Sequence, residues 1–256
     1  MHADERQRDI VERLHRLSRV EVSELAQRYD VTVETIRRDL AHLDRAGVLR
    51  KVHGGAVPVS TLALPETGVL ERERTNAPAK RAIAARALGA LSLTPGTTLL
   101  IDAGTTTGAL ARLLPTGTPL TIITSSVLTA SALAGQDRLA VRVLGGQVRG
   151  LTQAAVGPEA LEALALLRAD IAVMGTNGIS IQHGLSTPDP DEAAVKRAMI
   201  RAARRVVVLA DSSKIGQEHL VSFAPLSAVH QLVTEAPPPA PLTNHLADTG
   251  TEVLVA

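Results

Sequence analysis

The chain has 256 residues, 45% of them hydrophobic, with a net charge of +1, which allows one large domain or a small one plus a larger one around a sizeable core. Cysteine is absent, which excludes disulfides and thiolate metal sites and suits a reducing compartment. Tyr29 and Phe223 are the only aromatic residues, which excludes an aromatic stacking platform for sugars or bases.

The N-terminal Met1-His2-Ala3-Asp4-Glu5-Arg6 is too charged for a signal peptide, and no apolar run reaches spanning length. A soluble cytoplasmic protein without membrane contact is expected. Residues 1–57 hold 11 Lys+Arg against 10 Asp+Glu, and the remainder holds 16 against 16. Neither part is globally basic, so any case for DNA rests on where the arginines sit.

Residues 5–17 read as a first helix, with Ile10, Leu14 and Leu17 at helical spacing and Val11 widening the face. Arg19 to Val22 alternate in a short extended piece. A second helix follows over 22–29, with Val22, Leu25, Ala26 and Tyr29 inward and Glu21 as a poor cap. Thr32 is a good cap for a third helix over 33–46, where Val33, Ile36, Leu40 and Leu43 form one stripe. Opposite that stripe lie Thr35, Arg38, His42 and Arg45, with Arg37 on the flank, and Gly47 ends the helix. Arg50, Lys51 and His53 then lead into Gly54-Gly55, which reads as a hairpin tip.

Helix, short helix, tight turn, helix and basic hairpin make a winged helix-turn-helix. The third helix fits a major groove, where Arg and Thr suit base edges and phosphates, and the hairpin reaches the backbone. Charged outer faces are ordinary, so the arginines alone favour a solvated three-helix bundle. The ordered set of Thr cap, Arg37-Arg38 and basic hairpin points to double-stranded DNA. The candidate contacts are Thr32, Thr35, Arg37, Arg38, His42, Arg50, Lys51 and His53.

Residues 58–79 carry Pro58, Pro65, Gly68 and Pro78 and read as a linker. Arg72, Asn76 and Lys80 fall four apart, and 81–91 is an Ala-rich helix. From there strand, loop and helix alternate to the C-terminus. Strands are expected at 98–102, 120–124, 140–144, 170–174, 205–210 and 229–234, with an edge strand at 252–255. Helices are expected at 107–114, 127–134, 158–167 and 191–203. Residues 80–256 thus read as a mostly parallel α/β domain with both faces of the sheet covered. Pro237-Pro238-Pro239 reads as a late surface break.

In such sheets ligands bind beyond the carboxyl ends of the strands. Asp102-Ala103-Gly104-Thr105-Thr106-Thr107 follows the first strand, where free amides at a helix start favour an anion. That stretch alone fits a Thr-rich helix cap as well. Four further polar loops join it: Thr124-Ser125-Ser126, Gly145-Gly146, Gly175-Thr176-Asn177-Gly178 and Asp211-Ser212-Ser213-Lys214. Glu192 and Lys196 stand one helical turn apart between the last two. A lone acid–base pair reads as a plain helix pair. Five polar loops on one edge favour a polyol-phosphate pocket. The candidate effector contacts are Asp102, Gly104, Thr105, Thr106, Thr107, Thr124, Ser125, Gly145, Gly146, Asn177, Gly178, Glu192, Lys196, Asp211 and Lys214. No cofactor or metal site is expected, because the His residues are scattered and no Walker, His-Glu-x-x-His or Gly-x-Ser-x-Gly motif is present.

Glu5-Arg6-Gln7-Arg8 with Ile10, the run from Val31 to Leu40, and His53-Gly54-Gly55-Ala56 resemble the DeoR family of bacterial transcriptional regulators. So do Asp102 to Thr107, Thr124-Ser125-Ser126, Gly145-Gly146, Gly157-Pro158, Asn177-Gly178-Ile179, Glu192 to Lys196 and Asp211 to Lys214. The resemblance implies that the third helix is the recognition helix. It also implies a sensor domain similar in fold to ribose-phosphate isomerases and coenzyme A transferases, which binds a phosphorylated sugar or related metabolite. Arg72, Asn76 and Lys80 match a spacing the family shows where its second domain begins. A homo-oligomer, dimer or tetramer, follows from the same resemblance. Two positions depart from the family pattern: Ile215 stands where Phe is usual, and Gly175-Thr176-Asn177 replaces Gly-Ala-Asp.

The expected function is a transcriptional regulator, a repressor of a sugar-metabolism operon that a phosphorylated sugar releases from operator DNA. An alternative is a sugar-phosphate isomerase-like enzyme fused to a helix-turn-helix, with Asp102, Asp189, Glu192 or Asp211 as base and Lys196 or Lys214 stabilising an enediolate. A third is an oligomerisation module with an empty pocket. No carboxylate carries a specific proton-transfer motif, so a non-enzyme is expected.

Overall fold

The computed structural model describes residues 3–17, 20–46, 48–52, 54–58 and 67–256. The chain divides into two units, Met1–Pro65 and Glu66–Ala256.

The N-terminal unit runs α1 (Ala3–Leu17), β1 (Val20–Glu21), α2 (Val22–Tyr29), α3 (Val33–Arg45), β2 (Leu49–Val52) and β3 (Gly55–Pro58). Its core gathers the residues of the helical stripes: Ile10, Leu14, Leu25, Ile36, Leu40 and Leu43, closed by Val20, Leu49 and Ala56 from the strands. Val33 does not join them; as the first residue of α3 it is 41% exposed. The three strands pair antiparallel in the order β1-β3-β2. Gly54 turns the hairpin at φ +78°, and a Cβ on Gly55 would sit 2.1 Å from the Val20 carbonyl oxygen. The Gly-Gly pair is therefore demanded twice, by a left-handed turn and by a close strand approach. Glu21 makes no side-chain cap bond to α2, as expected of a poor cap. Arg19, Gly47 and His53 lie outside the described residues, as does the Arg50 side chain.

The C-terminal unit opens with α4 (Val69–Arg74) and α5 (Ala77–Ala90). Both begin inside the stretch expected to be linker, which is corrected: only its first part lies outside the unit. Pro78 read as a break, yet it occupies the first turn of α5, where a missing N–H costs nothing.

Then follow β4 (Thr98–Ile101), α6 (Thr105–Ala111), β5 (Leu120–Thr124), α7 (Val127–Leu133) and β6 (Leu139–Val143). A hairpin of β7 (Gln147–Arg149) and β8 (Ala154–Val156) leads to α8 (Pro158–Ala165) and β9 (Ala169–Gly175). Next come β10 (Gly178–Ser180), β11 (Gly184–Thr187), α9 (Pro190–Ala202), β12 (Ala203–Leu209) and β13 (Val221–Ala224). The unit ends with β14 (Gln231–Thr234), α10 (Ala240–Asp248) and β15 (Glu252–Val255).

Seven strands form one sheet in the order β15-β14-β12-β9-β4-β5-β6, and every pairing is parallel. Alternate residues feed two cores. Leu100, Ala172, Met174, Val206 and Val208 face α8, α9 and α10. Leu99, Ile101, Ile171, Val173, Val207 and Leu209 face α5, α6 and α7. This two-sided burial explains why the central strands carry consecutive apolar residues, at 99–101, 171–174 and 206–209. Each fully buried side chain of this size contributes about 1.5–3 kcal/mol. β10, β11 and β13 form a small separate sheet that the sequence reading did not contain.

Candidate functional site

On the N-terminal unit, Thr32 caps α3 by accepting from the Thr35 N–H at 3.2 Å, and the two hydroxyls lie 2.9 Å apart. Arg37, Arg38 and His42 project from the exposed side of α3, and Lys51 is exposed on β2. Arg37 lies 3.6 Å from Glu34, an exposed pair too screened to immobilise it. The opposite face of α3 is tied down by Asp39. Its carboxylate takes Arg6 at 2.6 Å and Gln7 at 2.8 Å, and both Arg6 and Asp39 are buried. One helix thus presents a cationic outer face from a fixed inner one.

On the C-terminal unit, a cavity of about 160 Å³ lies over the carboxyl ends of β4, β9 and β12, which are neighbours in the sheet. Its wall takes Gly104, Thr105 and Thr106 after β4, Gly175 to Asn177 after β9, and Asp211 and Lys214 after β12, with Lys196 from α9. α6 starts at Thr105 with no side-chain cap, leaving its first amides open. The other side of the cavity comes from Thr67, Glu71, Arg72, Thr75 and Lys80. Arg72 and Lys80 are not among the effector contacts expected from the sequence; their four-apart spacing with Asn76 is the signal that marks them.

Several expected contacts hold the site without lining it. Asp102 forms a buried ion pair with Lys196 and accepts the Gly175 N–H at 2.9 Å. The Thr107 hydroxyl donates to the Asp102 and Gly104 carbonyls at 2.8 and 2.9 Å, which fixes the loop. Thr124 donates to the Ile101 carbonyl at 2.6 Å, and the Ser125 carbonyl accepts from Ala155 N–H at 2.7 Å. Gly145 and Gly146 sit at the root of the β7–β8 hairpin, beyond β6 at the sheet edge. None of these last four residues lines the cavity, because β5 and β6 stand outside its three strands. Gly178 lies in β10, where a Cβ would fall 2.3 Å from the Gln217 carbonyl oxygen. Asn177 lines the cavity, and its side-chain oxygen accepts from Thr187 at 3.1 Å.

Glu192 is not partnered by Lys196. It is buried against Arg149 and Thr152, while Asp189 pairs with Arg149 at 3.2 Å and caps α9 through the Glu192 N–H at 2.9 Å. The hairpin arginine is therefore the counter-charge of α9's acidic first turn. Of the four bases the enzyme alternative offered, Asp102, Asp189 and Glu192 are committed to ion pairs, while Asp211 lines the cavity.

The titratable groups of the cavity are strongly biased. Burial lowers the Lys80 pKa, and its ammonium donates to the Arg72 carbonyl. Burial raises the Asp211 carboxyl, but the Ser213 hydroxyl, Lys214, Asn76 and Lys80 outweigh it and hold it below the ordinary value. Asn76 donates to Asp211 at 3.0 Å. Arg72, Lys80, Lys196 and Lys214 line the cavity alongside Glu71 and Asp211. Among the described residues, Arg72 and Lys214 make no ion pair. The arrangement offers charge and donors to a small anionic, hydroxylated molecule.

A winged helix-turn-helix with a cationic outer helix, joined in one chain to a parallel α/β unit with a polar cavity, defines a DNA-binding regulator. Residues 6–61 match the DeoR-like helix-turn-helix domain and residues 75–236 match the DeoR C-terminal sensor domain, so the chain belongs to the DeoR family of transcriptional regulators. It is 35% identical to the HTH-type transcriptional regulator GlpR of Haloferax volcanii, over 98% of this chain and 96% of that one. It is 31% identical to the glycerol-3-phosphate regulon repressor of Escherichia coli, over 97% of each. Among solved structures, ribose 5-phosphate isomerase A from Methanocaldococcus jannaschii aligns over 55% of each chain, at 17% identity and a TM-score of 0.40. The chain is a transcriptional regulator rather than an enzyme. Among the described residues, no helix is long and apolar enough to cross a membrane.

Proposed function

We propose that this regulator represses an operon for sugar or polyol use and that a phosphorylated sugar or polyol, bound in the cavity of the C-terminal unit, releases it from operator DNA. The observation that carries this reading is that Arg72, Lys80, Lys196 and Lys214 line the cavity together with the open amides of Thr105 and Thr106. The name of the Escherichia coli relative, a glycerol-3-phosphate regulon repressor, agrees with a phosphorylated effector.

In this reading Thr32, Thr35, Arg37, Arg38, His42, Arg50, Lys51 and His53 contact DNA in the cytoplasm. Gly104, Thr105, Thr106, Asn177, Lys196, Asp211 and Lys214 contact the effector, while Asp102, Thr107 and Glu192 hold those contacts in place. A homo-oligomer, dimer or tetramer, pairs two recognition helices on repeated half-sites. Release requires that the effector bind the two states with different affinity.

The test is a mobility shift on the DNA upstream of the protein's own gene, titrated with a panel of phosphosugars that includes glycerol 3-phosphate. One compound should dissociate the complex and raise Tm. Thr105→Glu with Thr106→Glu should bind the same DNA and ignore that compound. A double variant that still lets go of its operator would sink the reading.

A further inference from the structure

We propose that α4 is a strap that closes over the cavity when an anion binds, so that occupancy is passed to the chain segment leading to the DNA-binding unit. This rests on the phosphate reading of the same cavity.

The placement of α4 makes it suited to this. It is the first element of the C-terminal unit, which begins at Glu66 directly after the N-terminal unit ends at Pro65. It buries no residue, and Leu70 is 70% exposed, so no apolar core fixes its position. Polar contacts hold it instead. Val69 N–H donates to the Leu151 carbonyl at 2.9 Å, Glu73 pairs with Arg112 at 2.8 Å, and the Lys80 ammonium donates to the Arg72 carbonyl. Such contacts are individually weak and exchangeable.

One side of α4 is also a wall of the cavity, through Glu71 and Arg72. The opposite wall is the rigid end of the parallel sheet, with Lys196 anchored to Asp102. A phosphate between the two walls gains charge-assisted bonds to Arg72 on the strap and to Lys214 on the sheet side. The Lys80 side chain is buried and lines the same cavity, and its ammonium, with three donors, already holds the Arg72 carbonyl of the strap. These bonds join a loosely held helix to a fixed frame.

The experiment is hydrogen–deuterium exchange of the full chain in 100 mM inorganic phosphate against chloride of equal ionic strength, with Tm measured alongside. Amides of residues 69–76 should exchange about tenfold more slowly in phosphate. Arg72→Gln, on a helix with no core contacts, should fold, keep part of the Tm rise, and lose the slowing at 69–76. Unchanged exchange at 69–76 with a normal Tm rise overturns the strap and leaves the phosphate reading standing. Full slowing in Arg72→Gln also overturns the strap. No Tm rise in the unsubstituted protein overturns both.

Discussion

The ammonium of Lys196 meets the carboxylate of Asp102 across 94 positions of sequence, and both side chains are buried. Asp102 also accepts the Gly175 amide, while the Lys196 ammonium donates to the Gly175 carbonyl at 3.2 Å and lies 5.4 Å from the Phe223 ring centroid. One ion pair thus locks α9 to the ends of β4 and β9, the frame on which the cavity is built. Asp102→Asn leaves the ammonium buried without its counter-charge. The expected cost is about 3 kcal/mol, or roughly 6–12 °C in Tm for a unit of this size. Thermal unfolding by circular dichroism checks it, and an unchanged Tm would show that the pair is not what fixes α9.

Arg38 is exposed on α3, and among the described residues it makes no ion pair. Its removal should leave the fold of the N-terminal unit intact. If its guanidinium sits on a DNA phosphate, Arg38→Ala weakens all sequences alike and lowers the salt slope of binding by about 1. If it reads a base, the loss is about 1–3 kcal/mol at one operator position only. Fluorescence anisotropy across a salt series separates the two. Binding identical to the parent at every salt concentration would remove Arg38 from the interface.

The parallel sheet was legible because its strands carry short apolar runs, such as those at 99–101, 171–174 and 206–209, at α/β spacing. All seven strands fall within two residues of their expected limits. The third helix was legible from Thr32 and a stripe at helical period. The small sheet was not, because β10 and β11 hold three and four residues whose pairing is set by distant partners, such as Leu185 opposite Ala224. α10 hid behind Pro237-Pro238-Pro239, although proline before and within a first turn is a helix-start signal. In the site, Lys196 was visible and its partner was not. Glu192 stood at i−4 in sequence, yet the fold gave Glu192 to Arg149 on a hairpin that no local pattern announces.

Tyr29 is the single tyrosine of the chain and donates to Asp9 at 2.7 Å. Burial, then the hydrogen bond and charge of Asp9, push its pKa from 10.0 up to about 12. The folded unit therefore keeps its phenolic proton while the unfolded chain gives it up. This contribution to stability is whole below pH 10.0 and is lost as pH rises toward about 12. Phenolate absorbance should rise with a midpoint near that upper value, and Asp9→Asn should move the midpoint down. A midpoint of 10 in the folded protein would contradict the contact.

Asp211 and Lys80 act on stability at opposite ends of the pH scale. The Asp211 pKa is held below its ordinary 3.8, by its partners against the opposing effect of burial. Its contribution is present above 3.8 and is lost as pH falls through the lower folded value. Lys80 is lowered from 10.5 by burial, so between its folded value and 10.5 the unfolded chain binds more protons than the folded one. Stability from this group accordingly rises with pH across that window. Urea unfolding across pH should show Asp211→Asn flattening the acid limb and Lys80→Met flattening the alkaline limb, each also shifting the other limb, because the two charges act on each other. Parent and Lys80→Met curves that run parallel through the alkaline range would mean that the ammonium is solvated in the folded state, and α4 would then lack its tether at the Arg72 carbonyl.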